Sequence, residues 1–194
     1  MQLTYEFQAE HLLQALNAVR QEVITPQQML GSIGESLFRV NQARHDQGLA
    51  PDGTKWKPLS PLTIGTAVWQ QQGKSFRKNG QMSLATARKV QARRGGRILY
   101  GNGDLLGSFN YQVTGVELRL GFSDEKAAWH HLGTKAYTIT PKKAKALAFA
   151  GLVRKRVNHP GLTARPLVGF PASDERLVED VTADHLKLVL SRVR

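Results

Sequence analysis

Apolar positions recur at helical spacing near both ends of the chain and alternate with polar ones in its middle. Residues 9 to 23 place Leu12, Leu13, Leu16, Val19 and Val23 on one side of a helix. A second helix is predicted from Thr25. Thr25 suits the cap, Pro26 the first helical position, and Gln28 completes a Thr-x-x-Gln capping box. Leu30, Ile33, Leu37 and Val40 then follow at three- and four-residue steps, and the stripe fades before His45. Gly31 and Gly34, about one turn apart, weaken this helix but admit another backbone closely. The expected arrangement is a hairpin of two core-facing helices.

Residues 98 to 122 change period. Leu105 to Val113 and Val116 to Phe122 read as two strands around a Thr114-Gly115 turn, with Val116, Leu118, Leu120 and Phe122 on one face. Glu125 to Leu132 reads as a short helical turn closed by Gly133. Tyr137 to Thr140 and Ala146 to Val153 are short strand candidates, and His159-Pro160-Gly161 is a turn. Arg165 to Pro171 is extended and kinked. Ser173 is the expected cap of a last helix, with Asp174 and Glu175 in its first turn and Leu177, Val181, Leu188 and Val189 on its buried face. These elements predict one α+β domain over residues 1–194: a small antiparallel sheet with two N-terminal helices and a C-terminal helix, plus long basic loops or arms at about 64–97 and 134–165.

Charge sharpens the picture. Lys and Arg number 27 against 15 acids, for a formal net charge of +12. Ten of the cations fall between Asp52 and Asp104, and nine more between Glu125 and Asp174, two tracts without a single acid. Such tracts do not neutralise themselves locally, so they suit phosphate or an acidic protein surface. The plainer account is a solvated basic face, partly balanced by acids that folding brings close. The chain has no cysteine, which rules out disulfides and thiolate metal sites. The first ten residues carry no apolar core of a signal peptide, and no apolar run reaches the length of a membrane span.

Motifs for catalysis are incomplete. Gly73-Lys74-Ser75 resembles the end of a phosphate-binding loop, but the required first glycine is Val68. Gly101-Asn102-Gly103 lacks a third glycine at Leu106 and reads as a turn. His130 and His131 are adjacent and diverge on any regular element, so packing or a single hydrogen bond suits them better than metal ligation. Ser108 and Ser173 lie in no nucleophile elbow. No enzymatic activity, cofactor or metal is expected. Pro51-Asp52-Gly53 is a turn, because Pro presets φ and Gly tolerates φ > 0, and Trp56 behind it is a large apolar anchor.

In order along the chain, these motifs resemble the phage virion morphogenesis family, also called the tail completion or tail S family of Mu-like and related contractile-tailed phages. The matching segments are Ala50-Pro-Asp-Gly-Thr-Lys-Trp-Lys-Pro-Leu59 behind a helical pair, Gly103-Asp-Leu-Leu-Gly-Ser-Phe109, Ala127-Ala-Trp-His-His-Leu-Gly133, and Ala164-Arg-Pro-Leu-Val-Gly-Phe170 ahead of a terminal helix. The resemblance spans nearly the whole chain, except that 64–97 has no residue-by-residue counterpart. It implies a structural protein of the virion neck or tail, present in the host cytoplasm during assembly. Such a protein completes or caps the tail and helps join it to the head. It also implies a homo-oligomer, a hexameric ring, that meets the tail tube and neck or head-completion proteins. A basic ring lumen would tolerate DNA without reading its sequence, and no membrane contact is expected. The residues expected to dock electrostatically to protein or DNA are Lys74, Arg77, Lys78, Arg88, Lys89, Arg93, Arg94 and Arg97. Those expected to build the motif structure are Pro51, Asp52, Gly53, Trp56, His131, Gly133, Arg165 and Pro166. The alternative reading is an independent basic nucleic-acid-binding protein.

Overall fold

The structure, a computed structural model, describes residues 9–59, 97–99, 104–142, 144–149 and 152–193. Seven of the eight expected docking cations, Lys74 to Arg94, lie outside the described residues. The described elements are helices and small antiparallel strand pairs, an α+β protein. The chain divides into two compact units. One comprises Met1–Val40, Phe109–Gly121 and Phe170–Arg194; the other comprises Asn41–Ser108 and Phe122–Gly169.

The first unit holds α1 (Glu10–Ile24), the greater part of α2 (Gln27–Gln47), the hairpin β1 (Phe109–Thr114) and β2 (Glu117–Phe122), and the terminal helix Ala172–Ser191. Ile33 and Leu37 of α2 are buried. Phe38 stacks on Phe109 with ring centres 5.1 Å apart, and Tyr111 lies tilted at 6.2 Å. Gly34 makes this packing possible. A Cβ there would fall 2.5 Å from the Tyr111 ring and 2.9 Å from Leu118 Cδ1. What approaches it is therefore a strand side chain, not a backbone, and at Gly31 nothing comes within 4 Å.

Helix α1 departs from expectation. It packs against the terminal helix, and Glu22 Oε2 meets His185 Nε2 at 2.8 Å. Its half-buried positions are Ala15, Ala18, Val19 and Glu22, and Glu22 marks that side as the one facing the terminal helix. Leu12, Leu13, Leu16, Val23 and Ile24 are each at least half exposed, and no α1 residue is fully buried. Of the stripe expected to face a core, Leu12, Leu13, Leu16 and Val23 face outward and Val19 lies on the half-buried side.

Element boundaries shift for local reasons. The Thr25 hydroxyl donates to the Gln21 carbonyl (2.9 Å), so Thr25 closes α1, and α2 begins at Gln27. The segment Asp104–Gly107, expected as strand, is one helical turn, α3. The Ser108 N–H donates back to Asp104 O and the Ser108 hydroxyl to Leu105 O, which ends the turn before β1 starts. The last helix is capped from Pro171, whose extended ψ of 164° leads into it; Ser173 lies inside its first turn.

The second unit contains α4 (Lys126–Leu132) and two nested strand pairs. In the outer pair, β3 (Tyr137–Ile139) runs antiparallel to β6 (Val157–His159), with Tyr137 opposite His159 and Ile139 opposite Val157. The inner hairpin joins β4 (Leu147–Phe149) to β5 (Leu152–Arg154), with Leu147 opposite Arg154. The terminal helix is α5. The core of this unit is Ala50, Trp56, Ala127 and Leu167, with Ile98, Leu99, Leu105 and Phe122 packed on it.

Candidate functional site: a tryptophan and arginine clasp

The segment after α2 folds back at once. Leu49 and Lys55 form an antiparallel bridge around the Pro51-Asp52-Gly53 turn. The Gly53 N–H donates to Ala50 O, with Gly53 at φ 83°. Asp52 Oδ1 accepts from the Thr54 N–H (2.9 Å) and hydroxyl (2.7 Å), and these bonds hold its carboxyl below the usual carboxylate range. The Trp56 N–H donates to Gly48 O at 2.8 Å, so the turn aims the indole inward.

Three of the sequence motifs meet at that indole. Trp56 is 6% exposed, and its Nε1–H donates to Pro166 O at 3.0 Å. Arg165, also 6% exposed, returns the link. Its Nε and Nη2 donate to Lys57 O at 3.2 and 3.0 Å, Nη2 reaches Pro58 O at 3.3 Å, and Nη1 reaches Thr163 O. The guanidinium thus directs its fork onto backbone carbonyls of the Lys57–Pro58 segment and Thr163. Burial pulls its pKa below the usual arginine value.

Helix α4 closes the third side. The Arg165 N–H donates to His130 O at 2.7 Å, and the Leu167 N–H to His131 Nδ1 at 3.1 Å, which places the proton of neutral His131 on Nε2. Gly133 ends α4 at φ 75°, ψ 177°, a conformation open essentially to glycine alone. A Cβ on Gly133 would also strike Leu162 O at 2.7 Å and Ala164 N at 2.9 Å. Pro51, Asp52, Gly53, Trp56, His131, Gly133, Arg165 and Pro166 are therefore brought into one clasp.

Sequence reading missed two members. Asn41 and His45, each 3% exposed, continue the buried side of α2 past Leu37 at four-residue steps. The stripe does not fade; it turns polar. The His45 ring meets Trp56 edge-on at 5.3 Å, and neither ring nitrogen has a hydrogen-bond partner among the described residues. Burial lowers the His45 pKa; Asp46 opposes the shift and Arg97 adds to it. His130 is lowered likewise, by burial first and then by Arg165, against Asp124. Arg97, the one expected docking cation among the described residues, lies 3.3 Å from Asp46 Oδ1, an ion pair half open to solvent.

Beside the clasp, Phe122, Ala127, Ala128, Leu132 and Leu167 line an open, mainly apolar groove of about 400 Å³. Leu132 in its lining is largely exposed, and Trp129, also on α4, is about half exposed. Among the described residues, no group of three or more His, Asp or Glu side chains is placed to hold a metal ion, and no helix is long and apolar enough to cross a membrane.

The clasp is held by hydrogen bonds to main-chain groups of three separate segments, and the groove beside it is mainly apolar. The chain belongs to the phage virion morphogenesis family, whose profile matches residues 7–187. It therefore has a structural or assembly role in the phage virion. No curated protein and no solved structure matches it.

Proposed function

We propose that the protein is a non-catalytic ring subunit at the neck or tail end of the virion, which completes or caps the tail and helps join it to the head. The observation that carries this reading is the outward apolar face of α1. Leu12, Leu13, Leu16, Val23 and Ile24 are at least half exposed in a lone subunit, whereas a neighbouring subunit that covers them turns the same face into an interface. The groove beside α4, with Leu132 exposed, offers a second apolar surface for a tail or neck protein. The clasp contributes stiffness, fixing the turn and α4 to the segment that leads into α5. Six copies around the tail axis, touching tail tube and head-completion proteins, is the assembly that the family resemblance favours.

Electron microscopy of lysates from phage lacking the gene, with complementation as control, tests this. Filled heads separate from tails are expected, and tails of abnormal length would identify a cap. Normal infectious particles would overturn the reading.

A further inference from the structure

The charged surface of the second unit is unevenly paired. Some exposed cations have a carboxylate close by, Arg39 with Glu35 (2.6 Å), Arg119 with Glu117 (2.9 Å), Lys126 with Asp124 (3.4 Å) and Lys187 with Asp184 (2.8 Å), while others, such as Arg20, Lys55 and Lys57, stand singly without an ion-pair partner among the described residues. Lys142, Lys145, Arg154, Lys155 and Arg156 are all exposed, and none has an ion-pair partner among the described residues. The cause lies in the sequence, which has no acid between Glu125 and Asp174. The nested pairing then concentrates these charges. Arg154, Lys155 and Arg156 run from the end of β5 to the start of β6, while Lys142 and Lys145 occupy the opposing connection between β3 and β4.

We infer that the described cations of this nested β-arm, Lys142, Lys145, Arg154, Lys155 and Arg156, form a sequence-independent binding site for the phosphate backbone of duplex DNA. An arm of cations without an interleaved acid matches a polymer that presents one negative charge per ~1.7 Å of axis. Long, always- or nearly-always-charged side chains on an exposed ribbon position against phosphates without reading bases. At the base of the arm Tyr137 stacks on His159 at 4.9 Å. The base itself is anchored: Thr134 and Leu162 exchange two hydrogen bonds, of 3.0 and 2.8 Å, so the arm springs from a fixed root. The inference deepens the virion reading, since packaged DNA is the polyanion at hand, but its test is independent of it.

The test is fluorescence anisotropy of a short mixed-sequence duplex titrated with the full-length protein between about 50 and 200 mM salt. A variant carrying Lys142→Gln, Lys145→Gln, Arg154→Gln, Lys155→Gln and Arg156→Gln should bind at least tenfold more weakly. The slope of log Kd against log salt should be shallower by about 4.5, since each of the five lost phosphate contacts removes ~0.9. A charge-matched control, Arg20→Gln, Arg39→Gln, Lys55→Gln, Lys57→Gln and Arg119→Gln, should retain most of the affinity. In the unaltered protein, duplex should protect Lys142, Lys145 and Lys155 from acetylation, a readout that needs no variant to fold. Equal losses in both variants, absent protection, or preference for polyglutamate over duplex at matched charge would each overturn the inference, the last in favour of an acidic protein partner. Because purified protein is used, these outcomes stand apart from whether phage lacking the gene assemble.

Discussion

Trp56 and Arg165 stabilise the second unit by the same means from opposite sides, each giving N–H donors to carbonyls on the other's segment. Trp56→Phe keeps an aromatic ring against His45 but leaves Pro166 O without this donor, which should cost about 1–3 kcal/mol. Arg165→Lys retains the charge and loses the fork that spans Lys57 O and Pro58 O, with a similar cost of roughly 2–3 kcal/mol. Urea unfolding of each single variant and of the pair should show strong non-additivity, because both act on one contact. The histidines of the clasp set its pH response. Burial holds His45 and His130 below the ordinary imidazole value of 6.5, so the folded chain favours their neutral forms while the unfolded chain takes up protons first. Stability is then fully present above about pH 6.5 and is lost as pH falls from there through the lowered folded values. Urea midpoints measured from pH 8 to 5 should fall, and His45→Phe should flatten that fall. A midpoint independent of pH in the unaltered protein would contradict this account.

At the scale of elements, α2 carries two glycines with opposite consequences. Gly34→Ala gains helix propensity of up to ~1 kcal/mol but drives a methyl into the Tyr111 ring and Leu118, and a crowded core commonly loses about 1–3 kcal/mol. Gly31→Ala meets nothing and should stabilise by up to ~1 kcal/mol. Thermal melts of the two variants should therefore move in opposite directions. The same helix explains what could be read from sequence. Periodicity places α1, α2 and α5 to within a few residues, and the strand around Leu118 and Leu120 follows its alternation. Periodicity does not say which side of an amphipathic helix faces its own chain. On α1 the half-buried positions are Ala15, Ala18, Val19 and Glu22, and the leucines face out. Nor does apolar spacing reveal a buried stripe that continues through Asn41 and His45, both polar; the His45 ring packs on Trp56, eleven residues further along. The motif residues of the clasp were legible as separate turns and anchors. That they meet depends on long-range hydrogen bonds between residues more than a hundred positions apart, such as that from Trp56 to Pro166, which no local pattern encodes.

For the whole molecule, the outward face of α1 separates folding from assembly. A residue that is half exposed in the subunit contributes little to that subunit's stability, and its replacement by a polar side chain usually changes it by no more than about 0.5 kcal/mol. The same residue at the centre of a subunit interface loses well over 1 kcal/mol when truncated, and a ring repeats that loss at every contact. Leu12→Gln with Leu16→Gln should therefore leave the urea midpoint of the purified subunit nearly unchanged while abolishing complementation of phage that lack the gene. In the ring proposed above, a loss too small to separate two subunits would be applied around the closed assembly, so assembly would fail more sharply than any single contact would suggest. A double variant that melts early would show that α1 is packed within its own chain, and one that complements fully would remove α1 from the interface. Only a folded subunit that fails to assemble fits a protein whose apolar surface is completed by its neighbours.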